Sequence, residues 1–100
     1  MPRTHILKVK HEYMDALKSG EKPFEVRRDD RGFQKGDELV LCRYGTDWLH
    51  QSGFMNDRGD VVSSYPDIKG VDSIKRTITY VLTGGQFGIE PGFVVLGLTE

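Results

Sequence analysis

The spacing of apolar residues limits the possible folds of this chain more than any other feature, because it follows a period of two in several short segments. In residues 4–10 (THILKVK), His5, Leu7 and Val9 would share one face of an extended strand, and the residues between them the other. Such short alternating segments predict half-buried β-strands. Similar segments occur at residues 35–44, 74–82 and 93–98. The sequence therefore predicts a mainly β fold.

One segment breaks this pattern and predicts a helix. In the run HEYMDALKSG, Tyr13, Met14 and Leu17 fall at helical spacing, and Gly20 is well placed to end the helix. With five or six strands and one short helix after the first strand, we expect an α+β, mainly β fold in the form of a small barrel or strongly bent sheet. The length of 100 residues fits one domain, residues 1–100.

Residues 45–73 show the least regular pattern. The run NDRGD, residues 56–60, resembles a hairpin turn, and weak strand signals lie on both sides of it. A structureless loop of this length is unusual in a small domain. We therefore expect this segment to carry some structure or function of its own.

The composition favours a folded protein without a bulk attraction to nucleic acid. Hydrophobic residues make up 37% and charged residues 29%, and the net charge is −1. Proteins that hold nucleic acid by overall charge are strongly basic, so any such contact here needs a local cationic patch. No apolar run reaches the ~18 residues of a membrane span, and we expect no membrane contact. The start of the chain lacks the apolar core of a signal peptide. Because Cys42 is the single cysteine and lies in an apolar run, we expect it to be a small buried residue and the protein to occupy a reducing, cytoplasmic compartment.

The familiar catalytic and metal-binding patterns do not occur in the sequence. The three histidines are scattered, so we predict no metal and no cofactor. The run TGGQFGIEPG, residues 83–92, is rich in glycine but does not match a phosphate-binding loop. Gln86 and Phe87 in this loop are candidate ligand contacts, since an aromatic ring among glycines suits base stacking. Phe87 could equally close one end of a barrel.

Charged residues concentrate in the run GEKPFEVRRDDRGFQKGD. Its alternation would send Phe24 and Val26 into the interior and leave Lys22, Glu25 and Arg27 as a polar lining. Because Glu25 and Arg27 would share one face, we expect an ordered ion pair between them. The alternative is a solvated edge strand with compensating charges.

These residues carry a resemblance to a known family. The run GEKPFEVR, with Lys22, Glu25 and Arg27, follows a short helix, precedes a strand that begins with KGD, and resembles the GxKxxExR motif of ASCH domains in the PUA-like superfamily. Residues 4–41 and 77–98 resemble the small bacterial and phage branch of these proteins, which is catalogued as a domain of unknown function. That branch usually has a short turn where this chain has residues 45–73, so the resemblance implies an insertion there.

The resemblance implies a small PUA-like β-barrel with a cleft that binds RNA or a nucleotide-like ligand. In such a cleft Lys22, Arg27 and Arg28 would contact phosphate or a base edge, and Glu25 would orient Arg27 or accept a base amino group. Tyr13 would be a stacking partner for a base.

Two other functions stay open at this point. One enzyme group of the superfamily hydrolyses N4-acetylcytidine with a lysine, a threonine and a glutamate. In this chain Lys22 matches the lysine, but Glu25 occupies the position of the threonine. No residue matches the catalytic glutamate. A small amidohydrolase that uses Lys22 with Glu25 is therefore one alternative, although a lysine beside a carboxylate favours binding over catalysis. The other is a phage or mobile-element accessory protein that contacts a host protein through residues 45–73, with Trp48 in the contact.

Overall fold

The alternation at the start of the chain forms a strand, as predicted. In the computed structural model, which describes residues 2–99, β1 (Thr4–Lys10) buries His5, Leu7 and Val9 and exposes the residues between them. The helix α1 (His11–Ser19) follows without a loop and packs against β1. It ends at Gly20, whose left-handed φ of 84° lets its N–H donate to the Leu17 carbonyl oxygen. The predicted helix is confirmed.

Six further strands follow, so the described residues contain seven strands where five or six were expected. Both weak strands of residues 45–73 form, on either side of a turn at residues 56–60, which accounts for the higher count. The strands after α1 are β2 (Phe24–Arg28), β3 (Glu38–Thr46), β4 (Ser52–Met55), β5 (Val61–Ser63), β6 (Ser73–Thr83) and β7 (Phe93–Thr99).

All seven strands belong to one sheet, which is mostly antiparallel. The order is β2-β7-β6-β3-β4-β5, and β1 pairs with β3 in parallel. Within residues 2–99, β1 pairs only with β3 and β2 only with β7, and no backbone ladder joins β1 to β2. The mainly β fold with one short helix is confirmed, whereas the sheet does not close into the barrel that was expected.

Arginine side chains span the gap between β1 and β2, which we call the seam. Arg27 on β2 donates from Nη2 to the Lys8 carbonyl oxygen of β1. Arg31, in the loop after β2, donates from Nη1 to the Ile6 carbonyl oxygen at 3.0 Å. Because these carbonyl groups lie on the free edge of β1, the two arginines satisfy acceptors that a neighbouring strand would otherwise use.

The core is formed mainly by apolar residues of the sheet and α1. Its fully buried members include Leu39, Leu41 and Leu96. Cys42 is also fully buried and has no disulfide partner, as the sequence predicted for a small apolar residue. No helix within residues 2–99 has the length and apolar character needed to cross a membrane.

Candidate functional site

The inward-facing residue of β2 is a carboxylate. Glu25 is 6% exposed, whereas Phe24 and Val26 are 40% and 53% exposed, so the prediction that the two apolar residues fill the interior is wrong. The reason lies in the pairing of β2 with β7. Glu25 lies opposite Leu96, which faces the core, and residues opposite each other in a ladder share a face.

Two cations hold the buried carboxylate. Lys22 Nζ donates to Glu25 Oε1 at 2.9 Å, and Arg27 Nε donates to Glu25 Oε2 at 3.2 Å. The ordered pair of Glu25 and Arg27 that the sequence predicted is therefore confirmed. Burial of a charge without a partner is costly, and here each oxygen of the Glu25 carboxylate has a basic partner. We call Lys22, Glu25 and Arg27 the polar triad.

Aromatic rings lie beside these cations. Lys22 Nζ lies 4.7 Å from the centroid of the Tyr13 ring and 5.3 Å from that of Phe24. Tyr13 is 46% exposed and does not belong to the core. At the last residue of β2, the Arg28 guanidinium lies 4.9 Å from the centroid of the Phe93 ring. All three contacts have cation–π geometry, which holds the charged groups against flat apolar surfaces.

The triad lines a cavity of about 540 Å³ at the seam, which we call the seam cleft. This volume lies within the ~300–1,000 Å³ that is typical of small-molecule sites. Among residues 2–99, Glu25 is the only acidic residue in the lining, and its two oxygens accept hydrogen bonds from Lys22 and Arg27. The basic residues of the lining are Lys8, Lys10, Lys22, Arg27 and Arg28. An excess of positive charge therefore surrounds the cavity, although the whole chain carries a net charge of −1.

The structure brings together most of the residues proposed from sequence. Tyr13, Lys22, Glu25, Arg27 and Arg28 all line the seam cleft. The sequence analysis missed the other charged and aromatic residues of the lining, which are Lys8, Lys10 and Phe93. The alternation of β1 already placed both lysines on its exposed face, but their approach to β2 depends on a contact that no local pattern encodes.

The loop residues proposed as ligand contacts lie outside the cleft. Gln86 Nε2 donates to the Thr83 carbonyl oxygen at 2.9 Å, so its side chain closes its own loop. Phe87 is 82% exposed and has a positive φ of 54°. Trp48, at the turn between β3 and β4, is equally exposed and likewise absent from the cleft lining.

The remaining reactive side chains do not form a nucleophilic site. Burial raises the pKa of the Cys42 thiol, which keeps it protonated and unreactive. His5 is buried against Asp37, with 2.9 Å between Nε2 and Oδ2, and the edge of its ring meets Phe33. These contacts anchor β1 to the start of β3 and lie away from the seam cleft.

The chain matches one known protein family over almost its whole length. Residues 4–98 match the family described as a domain of unknown function (DUF3850). The chain belongs to this family. The matched range contains every residue that lines the seam cleft, so the cleft is part of the DUF3850 domain itself. A comparison with curated proteins gave no match. The function is therefore argued from the chemistry of the cleft.

Proposed function

We propose that the protein is an ASCH/PUA-like module that binds RNA or a nucleotide-like ligand in the seam cleft. The observation that carries the proposal is the convergence of five basic side chains on one cavity of a chain with net charge −1. The motif residues Lys22, Glu25 and Arg27 all line this cavity. On this proposal the bent sheet is an ASCH/PUA-like barrel whose last gap is spanned by Arg27 and Arg31.

The triad is suited to orient a ligand. Lys22 uses one of its three N–H donors on Glu25, and Arg27 uses Nε on Glu25 and Nη2 on the Lys8 carbonyl oxygen. The remaining donors of both side chains are available to a phosphate or a base edge. Glu25 fixes the direction of these donors, and pre-organised cations lose little freedom on binding.

The outer basic residues are suited to hold phosphate. Lys10 and Arg28 are exposed and line the cleft. Tyr13 and Phe93 add aromatic surface to the same cavity, and such rings stack with bases of single-stranded RNA. Phosphate contacts at the rim and ring contacts inside are the usual division of roles in RNA recognition.

Binding of short single-stranded RNA, followed by fluorescence anisotropy, tests the proposal. The double variant Lys10→Ala/Arg28→Ala removes two rim cations and leaves the polar triad intact. Hydrogen bonds to charged groups contribute about 1.5 kcal/mol or more each, so we expect the double variant to bind at least about tenfold more weakly. Arg58→Ala/Lys69→Ala is the control, because it removes the same charge from exposed positions outside the cleft. Equal affinities of wild type and the cleft variant would contradict the proposal.

One observation favours an enzymatic alternative. Lys22 Nζ lies 2.9 Å from Glu25 Oε1 at the wall of the cleft, which is the kind of pair that an amidohydrolase acting on acylated nucleosides would need. In this structure the carboxylate and the Tyr13 ring both attract a positive charge on Lys22, which suits a binding group better than a nucleophile. Turnover of N4-acetylcytidine by wild type and its loss in Lys22→Ala would replace the binding module with this enzyme.

A further inference from the structure

A second cavity, of about 480 Å³, continues the seam cleft along β1. Lys8 and Arg27 line both cavities. Lys10 lies in the first cavity, and Ile6, on the other side of Lys8, lies in the second. Arg27, which donates to the Lys8 carbonyl oxygen, therefore stands between two compartments of one groove.

The second compartment is also basic, and part of its wall comes from residues 45–73. Arg31 and Lys8 bring positive charge, and no acidic residue lines this cavity. Lys8 Nζ is fixed 4.5 Å from the centroid of the Tyr44 ring. The residues contributed by the 45–73 segment are Phe54, Ser64 and Pro66.

The length of the groove limits the kind of ligand that can use it. From Ile6 to Lys10 the strand extends about 13 Å, at about 3.3 Å per residue. Basic side chains line this whole distance, from Lys10 and Arg28 at one end to Arg31 at the other. A ligand with one phosphate cannot contact both ends, whereas a chain with a phosphate at each repeat can.

We propose that the groove takes a single-stranded RNA of at least two nucleotides, with one nucleotide in each compartment. The linking phosphodiester lies at Lys8 and Arg27, the two residues that both compartments share. Three residues of the 45–73 segment thereby form part of the site for the second nucleotide. This inference rests on the proposed function and adds the size of the ligand to it.

Calorimetry with uridine 5′-monophosphate and with the tetranucleotide of uridine tests the inference. We expect wild type to bind the tetranucleotide at least about tenfold more tightly than the monophosphate, since only the longer probe reaches both compartments. Arg31→Gln should weaken binding of the tetranucleotide and remove most of this difference. Ser64→Trp, at an exposed position, should also remove most of the difference between the two probes, because the larger side chain fills the second compartment.

Lys69→Gln is the control, because it removes an exposed charge outside both compartments. If both probes bind with equal affinity and neither variant changes this, the two-compartment inference is wrong and the proposed function stands. If neither probe binds, both are wrong. An acidic tetrapeptide that competes as well as the tetranucleotide would also overturn the inference, since the groove would then select charge alone.

Discussion

At the scale of single residues, the feature that defines the site is a buried carboxylate on an edge strand. Glu25 points inward from β2, and the two cations that satisfy it also reach the cleft. An inward-facing charge is one way in which edge strands avoid pairing with other chains. The same carboxylate therefore fixes the direction of Lys22 and Arg27 and protects β2.

Glu25→Gln tests the contribution of this carboxylate to stability. The substitution keeps the shape of the side chain but leaves Lys22 and Arg27 without their anion. Because Glu25 is buried and both cations are partly exposed, we expect the free energy of unfolding to fall by about 1–3 kcal/mol, measured by urea denaturation. Glu21→Gln, an exposed position, is the control and should change it by less than about 0.5 kcal/mol. Equal stability of the two variants would show that the triad contributes nothing to the fold.

At the scale of elements, the sequence predicted most strands and the helix, but not the orientation of β2. The strong periods of β1, α1, β6 and β7 reflect faces that pack against the core, and these elements form where the alternation indicated. In β2 the alternation predicted that Phe24 and Val26 point inward, which is one of the two orientations that a strand can take. Pairing with β7 selects the one that buries Glu25, and this long-range contact leaves no local signal.

The β6–β7 loop provides an element-scale prediction, because its first two glycines have different roles. A Cβ on Gly84 would collide with the carbonyl oxygen of Glu90 and would lie 2.7 Å from that of Phe93. Gly85 has space for a Cβ, but its φ of 84° is left-handed. Gly84→Ala must displace backbone across the hairpin, whereas Gly85→Ala costs only about 1 kcal/mol of conformational strain. We expect a clearly larger fall in Tm for Gly84→Ala, and the reverse order would contradict this assignment.

At the scale of the whole molecule, one buried arginine joins three parts of the chain. Arg43 on β3 is 1% exposed and donates to Asp72 before β6 at 2.9 Å and to His11 Nδ1 at 2.9 Å. It also pairs with Asp15 on α1. The sequence showed Arg43 only as a residue of an apolar strand, and its partners are far away along the chain, so no spacing rule predicted this cluster.

Arg43→Met tests whether this cluster stabilises the packing of α1 on the sheet. Hydrogen bonds to charged groups typically contribute about 1.5–3 kcal/mol each, and Arg43→Met removes the one to Asp72, which keeps Lys18 as a partner, and the one to Asp15, which is exposed. We expect the free energy of unfolding to fall by an amount in this range, measured by urea denaturation. Arg58→Met, an exposed position, is the control and should change stability by less than about 0.5 kcal/mol. If Arg43→Met changed the free energy of unfolding as little as the control does, the cluster would not have the structural role described.

The charge distribution of the whole molecule explains why composition alone did not indicate nucleic acid. Five basic residues line one cavity, whereas most acidic residues lie elsewhere on the chain. Their charges cancel in the total, so the net charge of −1 gives no sign of the local excess. The convergence depends on the approach of β1 and β2, which are separated by α1 in sequence and joined only by side chains at the seam.

The salt dependence of RNA binding tests the central claim most directly. For single-stranded RNA, each phosphate neutralised by the protein contributes about −0.7 to the slope of log K against log salt concentration. If the cleft holds phosphate, the slope of Lys10→Ala/Arg28→Ala should be shallower than that of wild type by about 1.4. If the two slopes are the same, the phosphate contacts lie elsewhere and the seam cleft is not the RNA site.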